Sequence, residues 1–320
     1  MESLSCGLEM SAERKITTSH VPVGITVGML PWNYPIYLAS PKIGPALLTG
    51  NAFILKASPF TPYTSLKMAE LAQMFFPPGA FQALSGDDSL GPMLTSHPDV
   101  NMVNFTGSTS TGKAIMKSCS GTLKRVVLAL GGNDPAIVCA DADPVSAAMR
   151  IGLFAFCNSG QICMSIKRIY VHESIYDQFL GSLVQHAGAL GVGVSETDFL
   201  GLIATEPHFK RVQSLLSGIK EAGYTVVVGG TERIADKEGF YISATIIDNP
   251  LKTLSSRKRN NSLPTDAGLG ASVWTRDDEQ ATRIASQLQA GHKQSGLGVE
   301  HSVEELKAYC NVRSVFRKPF

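Results

Sequence analysis

Met102-Val103-Asn104-Phe105-Thr106-Gly107-Ser108-Thr109 reads as an apolar strand that ends in a glycine turn and opens into a helix. The same order of short β-branched or apolar run, turn and helix-like segment repeats from Gly24 to Val138. It predicts strands at 24–30, 52–56, 81–84, 102–106 and 126–130, with helices near 39–48, 62–74 and 109–118. Gly50-Asn51 and Pro77-Pro78-Gly79 mark joins between them. Such alternation specifies a parallel sheet covered by helices, so the fold class is α/β with a Rossmann-like parallel sheet.

A second α/β unit follows Asp141-Ala142-Asp143, whose acids suit a helix start. Helical periodicity recurs at Ile175, Phe179 and Leu183, at Val212, Leu215, Leu216 and Ile219, and at Ala281, Ile284, Ala285 and Leu288. These stripes read as core faces. Strand-like runs lie at 225–228 and 241–247, and no internal repeat or low-complexity tract occurs. The polar stretch 250–264, with Arg257-Lys258-Arg259, reads as a solvated loop in preference to a nuclear-import patch.

The chain has 320 residues, 44% hydrophobic and 17% charged, enough to bury a core and too apolar for disorder. Its 28 basic residues against 27 acidic ones give no electrostatic reason for a nucleic acid or anionic membrane partner. A small molecule is the expected ligand. With no long apolar run and no signal-peptide pattern at its start, a soluble, cytoplasmic protein is expected. Cysteines at 6, 119, 139, 157, 163 and 310 show neither metal-ligand spacing nor a disulfide pattern, so no metal site is expected and the compartment is read as reducing.

Three segments carry candidate chemistry. In Asn158-Ser159-Gly160-Gln161-Ile162-Cys163 the cysteine follows a turn that can open a helix, where amide dipoles favour a thiolate. Cys119, Cys139 and Cys310 read as small buried hydrophobes. Leu30-Pro31-Trp32-Asn33-Tyr34-Pro35 puts an asparagine amide at the carboxyl edge of the sheet, where open α/β sheets bind ligands. Phe105-Thr106-Gly107-Ser108-Thr109 opens a helix whose first amides can hold a pyrophosphate, although no G-x-G-x-x-G fingerprint is present.

Together with Val21-Pro22-Val23-Gly24, Gly44-Pro45-Ala46-Leu47, Leu55-Lys56, Phe76-Pro77-Pro78-Gly79 and Leu130-Gly131-Gly132, these segments resemble the aldehyde dehydrogenase superfamily in order and spacing. The resemblance runs from about His20 to Ile247 and resumes in pieces from Gly268. It implies a cofactor domain and a second α/β catalytic domain: 1–20 a remnant of an oligomerisation hairpin, 21–131 the NAD(P)-binding domain, 132–308 the thiol domain and 309–320 a C-terminal strand or tail. It further implies that Cys163 adds to an aldehyde, that the Asn33 amide and a backbone amide hold the oxyanion, that hydride passes to NAD or NADP, and that a glutamate then activates water. The implied cofactor residues are Leu30, Pro31, Trp32, Lys56, Ser58, Gly86, Phe105, Thr106, Gly107, Ser108, Leu130 and Gly131. Lys56 would meet the adenosine ribose or its phosphate, and Ser108 the pyrophosphate. Pro59 stands where NAD-preferring members often carry a glutamate, which leaves NADP as open as NAD.

The sequence also departs from the family pattern. Ala129 occupies the position of the general-base glutamate, the Glu-x-Phe-Gly-Pro segment has no counterpart between Pro250 and Gly268, Gly291 to Gly296 resembles the end of a longer segment, and the N-terminal elements look shortened. The leading expectation is an aldehyde dehydrogenase with impaired thioester hydrolysis. An inactive pseudoenzyme and an enzyme that passes the acyl group to an amine or thiol such as coenzyme A are the alternatives. By the same resemblance, Lys15 to His20 and Asn311 to Phe316 would pair copies into a homo-oligomer.

Overall fold

The computed structural model describes residues 7–10, 15–230, 234, 238–249, 268–291 and 293–317. Two compact units divide the chain, one from residues up to Leu130 together with those from Gly296 on, the other from Gly131 to Ser295. The first unit begins with β1 (Gly7–Met10), β2 (Lys15–Pro22), β3 (Ile25–Met29), α1 (Pro35–Leu48), β4 (Ala52–Lys56) and α2 (Pro62–Ala72). It continues through β5 (Phe81–Leu84), α3 (Leu90–Ser96), β6 (Val100–Thr106), α4 (Thr109–Ser120) and β7 (Arg125–Ala129). The second unit holds β8 (Asp134–Val138), α5 (Pro144–Phe156), β9 (Ile166–Val171), α6 (Tyr176–Gly188), α7 (Glu206–Glu221), β10 (Val226–Val228), β11 (Ile246–Ile247), β12 (Ser272–Trp274) and α8 (Asp278–Ala285). The chain then returns to the first unit with β13 (Gly296–Leu297), α9 (Val303–Ala308) and β14 (Cys310–Arg317). Residues 296–308, placed by the sequence with the thiol domain, thus lie in the other unit.

Among the described residues the large sheet of the first unit has the order β13-β7-β6-β3-β4-β5, parallel except where β13 pairs antiparallel with β7. Neighbouring strand residues enter opposite cores. Met102 and Val127 join Leu38, Ala46 and Ala69 of α1 and α2, while Val103 and Leu128 join Leu94 of α3 and Ile115 of α4. A strand covered on both faces is a near-continuous apolar run, and this is why the parallel sheet was legible. In the second unit α5 and α6 pack Ala148, Ile151, Phe179 and Leu183 against Ala136 and Val138 of β8.

Several elements differ from the sequence reading. α1 starts at Pro35, ahead of the expected 39, because proline at the first helical position has its φ already set. The seven-residue α3 was not foreseen; it carries Gly91 and Pro92, residues of low helix propensity, in its first turn. Only Ile246–Ile247 of the expected strand 241–247 is extended, with Tyr241, Ile242 and Ala244 buried in irregular backbone instead. Leu215 points outward while Leu216 and Ile219 are buried, and no residue of α8 is buried, so that stripe is not a core face. Asp143 caps α5 through the Ser146 N–H, whereas Asp141 accepts from Thr275 and the Arg276 N–H. Arg257-Lys258-Arg259 and Cys6 lie outside the described residues. No helix among those described is long and apolar enough to cross a membrane.

A polar cluster sits inside the first unit. The side chain of Lys42, 0% exposed, donates to Asn104 Oδ1 at 2.8 Å and to Glu300 Oε1 at 2.6 Å. Asn104 Nδ2 donates to the hydroxyl of buried Tyr309 at 2.9 Å. Glu305, 3% exposed, accepts from the His301 N–H at 2.6 Å, and its second oxygen has no partner among the described residues. Burial, reinforced by the Glu300 charge and opposed by the His301 amide and Lys42, pushes its carboxyl up to about 7 from an ordinary 4.5. Because the folded value is the raised one, this group's contribution is complete at low pH and disappears as pH climbs from about 4.5 through about 7. A Glu305→Gln variant should show a flatter dependence of thermal midpoint on pH across that window than the parent; equal slopes would count against the assignment.

Candidate active site

The carboxyl edge of the large sheet gathers the sequence-selected residues of the first unit. β3 lies between β4 and β6, so the chain runs outward from it in both directions, which makes this edge a topological switch point. Leu30, buried, follows β3 and its N–H donates to the Lys56 carbonyl at 3.1 Å; Pro31, Trp32 and Asn33, all half-buried, form the bend into α1. Met29, Lys56 and Leu84 are cross-strand partners at the ends of β3, β4 and β5, with buried Ser58 and half-buried Gly86 just beyond. Thr106 closes β6 opposite Ala129, the final residue of β7. The Gly107 N–H donates to the Ala129 carbonyl at 3.1 Å, and Leu130 is buried against Gly112 of α4.

Three observations suit this edge to a dinucleotide phosphate. Thr106 Oγ1 is buried with no partner among the described residues. A Cβ at Gly107 would stand 2.3 Å from the Phe105 ring, so any larger residue there would have to displace that ring. α4 opens at the turn with its first-turn amides toward the edge. The Ser108 hydroxyl caps this helix, accepting from the Thr111 N–H at 3.2 Å. Lys56 carries an amino group whose pKa is lowered by partial burial.

Cys163 belongs to the second unit and stands in a turn between α5 and β9. This corrects the helix start expected from the sequence. Asn158, Ser159 and Gly160 have φ of 51°, 56° and 71°, three successive left-handed residues. Two of them are not glycine, a strained arrangement of the kind retained at functional sites. The loop is clamped from outside. Buried Gln161 donates through Nε2 to the Asn158 and Leu202 carbonyls at 3.1 Å each and accepts from the Ala204 N–H at 2.8 Å. Ser165 Oγ donates to the Ala155 carbonyl at 2.9 Å. On the far side the Gly132 N–H donates to the Cys163 carbonyl at 3.1 Å, and a Cβ at Gly132 would stand 2.8 Å from that oxygen.

The sulfur is half-buried, and burial pushes the thiol up from its ordinary value, opposed by the amides of Met164 and of Cys163 itself and by the Lys167 charge. The direction of this shift runs against the thiolate stabilisation that the sequence led one to expect at Cys163. Its alkylation by iodoacetamide should accelerate as pH rises through and beyond the usual thiol range of about 8.5. A rate already at its plateau near neutrality would contradict this. Cys119, Cys139 and Cys310 are buried, matching their reading as small hydrophobes.

The aldehyde dehydrogenase family's sequence model matches residues 3–261. A putative aldehyde dehydrogenase, FUS7, of Gibberella fujikuroi is 36% identical over 96% of this chain and 74% of its own length. The chain belongs to the aldehyde dehydrogenase family. Among solved structures, an NAD-dependent aldehyde dehydrogenase from Sinorhizobium meliloti superposes with a TM-score of 0.91 at 29% identity, over 99% of this chain and 71% of that one. An NADP-dependent enzyme of E. coli gives 0.91 at 28%, over 99% and 75%. Membership places the chain among oxidoreductases of the NAD(P)-dependent, aldehyde-oxidising class.

Sequence reasoning missed Asp134 and Lys167. Asp134, 2% exposed, accepts from the Leu269 and Gly270 amides at 2.8 Å each, tying the strand after the Gly131-Gly132 turn to a segment far along the chain. Burial raises its carboxyl, with those two amides opposing. Lys167 donates to the Ile162 carbonyl at 3.2 Å beside Cys163. Neither has a sequence signature, because a lone acid or lysine at a strand end is ordinary.

Proposed function

We propose that this family member oxidises a small-molecule aldehyde with Cys163 as nucleophile, Asn33 as side-chain amide donor to the oxyanion, and NAD or NADP as acceptor. The observation that carries the reading is the Cys163 sulfur itself, half-buried in a strained, clamped loop and faced by its own amide and that of Met164. Those amides oppose the effect of burial on the thiol and are placed to stabilise negative charge that develops next to it. Deprotonated, Cys163 adds to the carbonyl carbon, forming the C–S bond and leaving an oxyanion. NAD or NADP, when bound, would supply the hydride acceptor, and loss of hydride from the carbon attached to Cys163 would leave a thioester there. Lys56, Ser58, Gly86, Thr106, Gly107, Ser108, Leu30 to Trp32 and the Leu130-Gly131 turn are the residues that would hold the cofactor.

Breaking the thioester needs a nucleophile, and Ala129 at the end of β7 has no group to take a proton from water. The acyl group on Cys163 therefore persists, or leaves to a better nucleophile such as a thiol or amine, which needs less help. Ala129 is the one observation that favours this second reading. The exposed apolar side chains Val312 and Phe316 on β14, the edge strand beside β2, support pairing with a second copy.

Intact-mass spectrometry after incubation with NAD or NADP and a panel of aldehydes tests the proposal. An acyl adduct that maps to Cys163, dependent on cofactor, is expected, and a thiol or amine should discharge it. A chain that stays unmodified with every aldehyde and cofactor would identify a pseudoenzyme.

A further inference from the structure

The proposed cofactor edge contains a carboxylate that the sequence reading did not assign. β4 and β5 are parallel neighbours, and the Ala57 N–H donates to the Leu84 carbonyl at 3.0 Å, so their following loops leave the sheet side by side. Lys56 closes β4. Its Cε lies 3.9 Å from where a Cβ on Gly91 would stand, so the side chain reaches across to the first turn of α3, directly after the loop that follows β5. That loop carries Asp87 and Asp88. Asp87 is committed to its own turn, accepting from the Ser89 N–H at 2.9 Å and the Ser89 hydroxyl at 2.5 Å. Asp88 is exposed, its carboxylate takes no hydrogen bond from the described residues, and its charge acts on the Lys56 amino group.

A carboxylate at this edge has a definite chemical use. Ribose hydroxyls donate hydrogen bonds to it, whereas a 2′-phosphate brings like charge against it. Lys56 alone attracts either cofactor. Pro59 leaves the β4 loop without an acid, so a carboxylate near Lys56 must come from elsewhere. We propose that Asp88, paired with Lys56, reads the adenosine ribose hydroxyls and makes the chain select NAD over NADP. This rests on the cofactor edge proposed above.

Dissociation constants for NAD+ and NADP+, measured by calorimetry on the whole chain, provide the test. The parent should bind NAD+ at least about tenfold more tightly than NADP+, since like charges placed together are strongly unfavourable. Asp88→Asn should weaken NAD+ binding severalfold and strengthen NADP+ binding about tenfold, reversing or abolishing the preference. Asp88→Ser, with no amide to hydrogen-bond the ribose, should lose the preference as well, and Asp87→Asn should keep it. If Lys56→Met weakens both cofactors while Asp88→Asn leaves their ratio unchanged, the edge is right and Asp88 is not its reader. A parent that favours NADP+ overturns the inference, and a parent that binds neither overturns the cofactor edge along with it.

Discussion

An Ala129→Glu variant is expected to turn a single burst of aldehyde oxidation into sustained turnover. In the parent, rapid mixing with aldehyde and cofactor should release about one reduced cofactor per Cys163 and then stall, because the acyl group is not hydrolysed. Ala129 is half-buried at the end of β7, across from Thr106 on one side and Gly296 on the other, so its side chain leaves the strand at the edge where the other sequence-selected residues lie. A carboxylate there can take a proton from water. General bases contribute about two to four orders of magnitude, so the steady-state rate should rise at least about a hundredfold with the burst unchanged. Equal steady rates in parent and variant would show that another group already serves hydrolysis.

Lys42→Met is expected to produce the largest loss of stability. The methionine keeps the apolar stem, but Glu300 loses its counter-charge and Asn104 loses a donor inside the protein. Removing one partner of a buried ion pair costs about 3–5 kcal/mol because the remaining charge is stranded. Urea denaturation followed by fluorescence measures this. The double variant Lys42→Met/Glu300→Gln should recover part of the loss, and a failure to recover any would mean that Lys42 acts chiefly through Asn104 and Tyr309.

How much of this was legible depends on the range of the interactions. Val103 and Phe105 alternate with Met102 and Asn104 in a run buried on both faces and mostly apolar, and the glycine turn that follows is local, so strands β3 to β7 could be read from the residues. The positions of Lys56, Thr106, Ser108 and Ala129 at one sheet edge follow from that register. Cys163 was recognisable by its flanking residues, but its environment was not. The burial that raises its thiol, and the clamp from Leu202 and Ala204, depend on segments distant in sequence. Leu215 and the residues of α8 show the other limit: periodicity finds a face, and only packing decides whether anything covers it.

Tyr309 lies in the core between β6 and α1 although more than half the chain separates it from them, and β13 completes the sheet beside β7 only after the Gly131 to Ser295 unit has been made. A ribosome therefore releases the inserted unit while its host is still lacking an edge strand and the hydroxyl that Asn104 meets. Synthesis must run past Tyr309 before the host can close, which exposes its half-built sheet to misassembly for longer than the insert's.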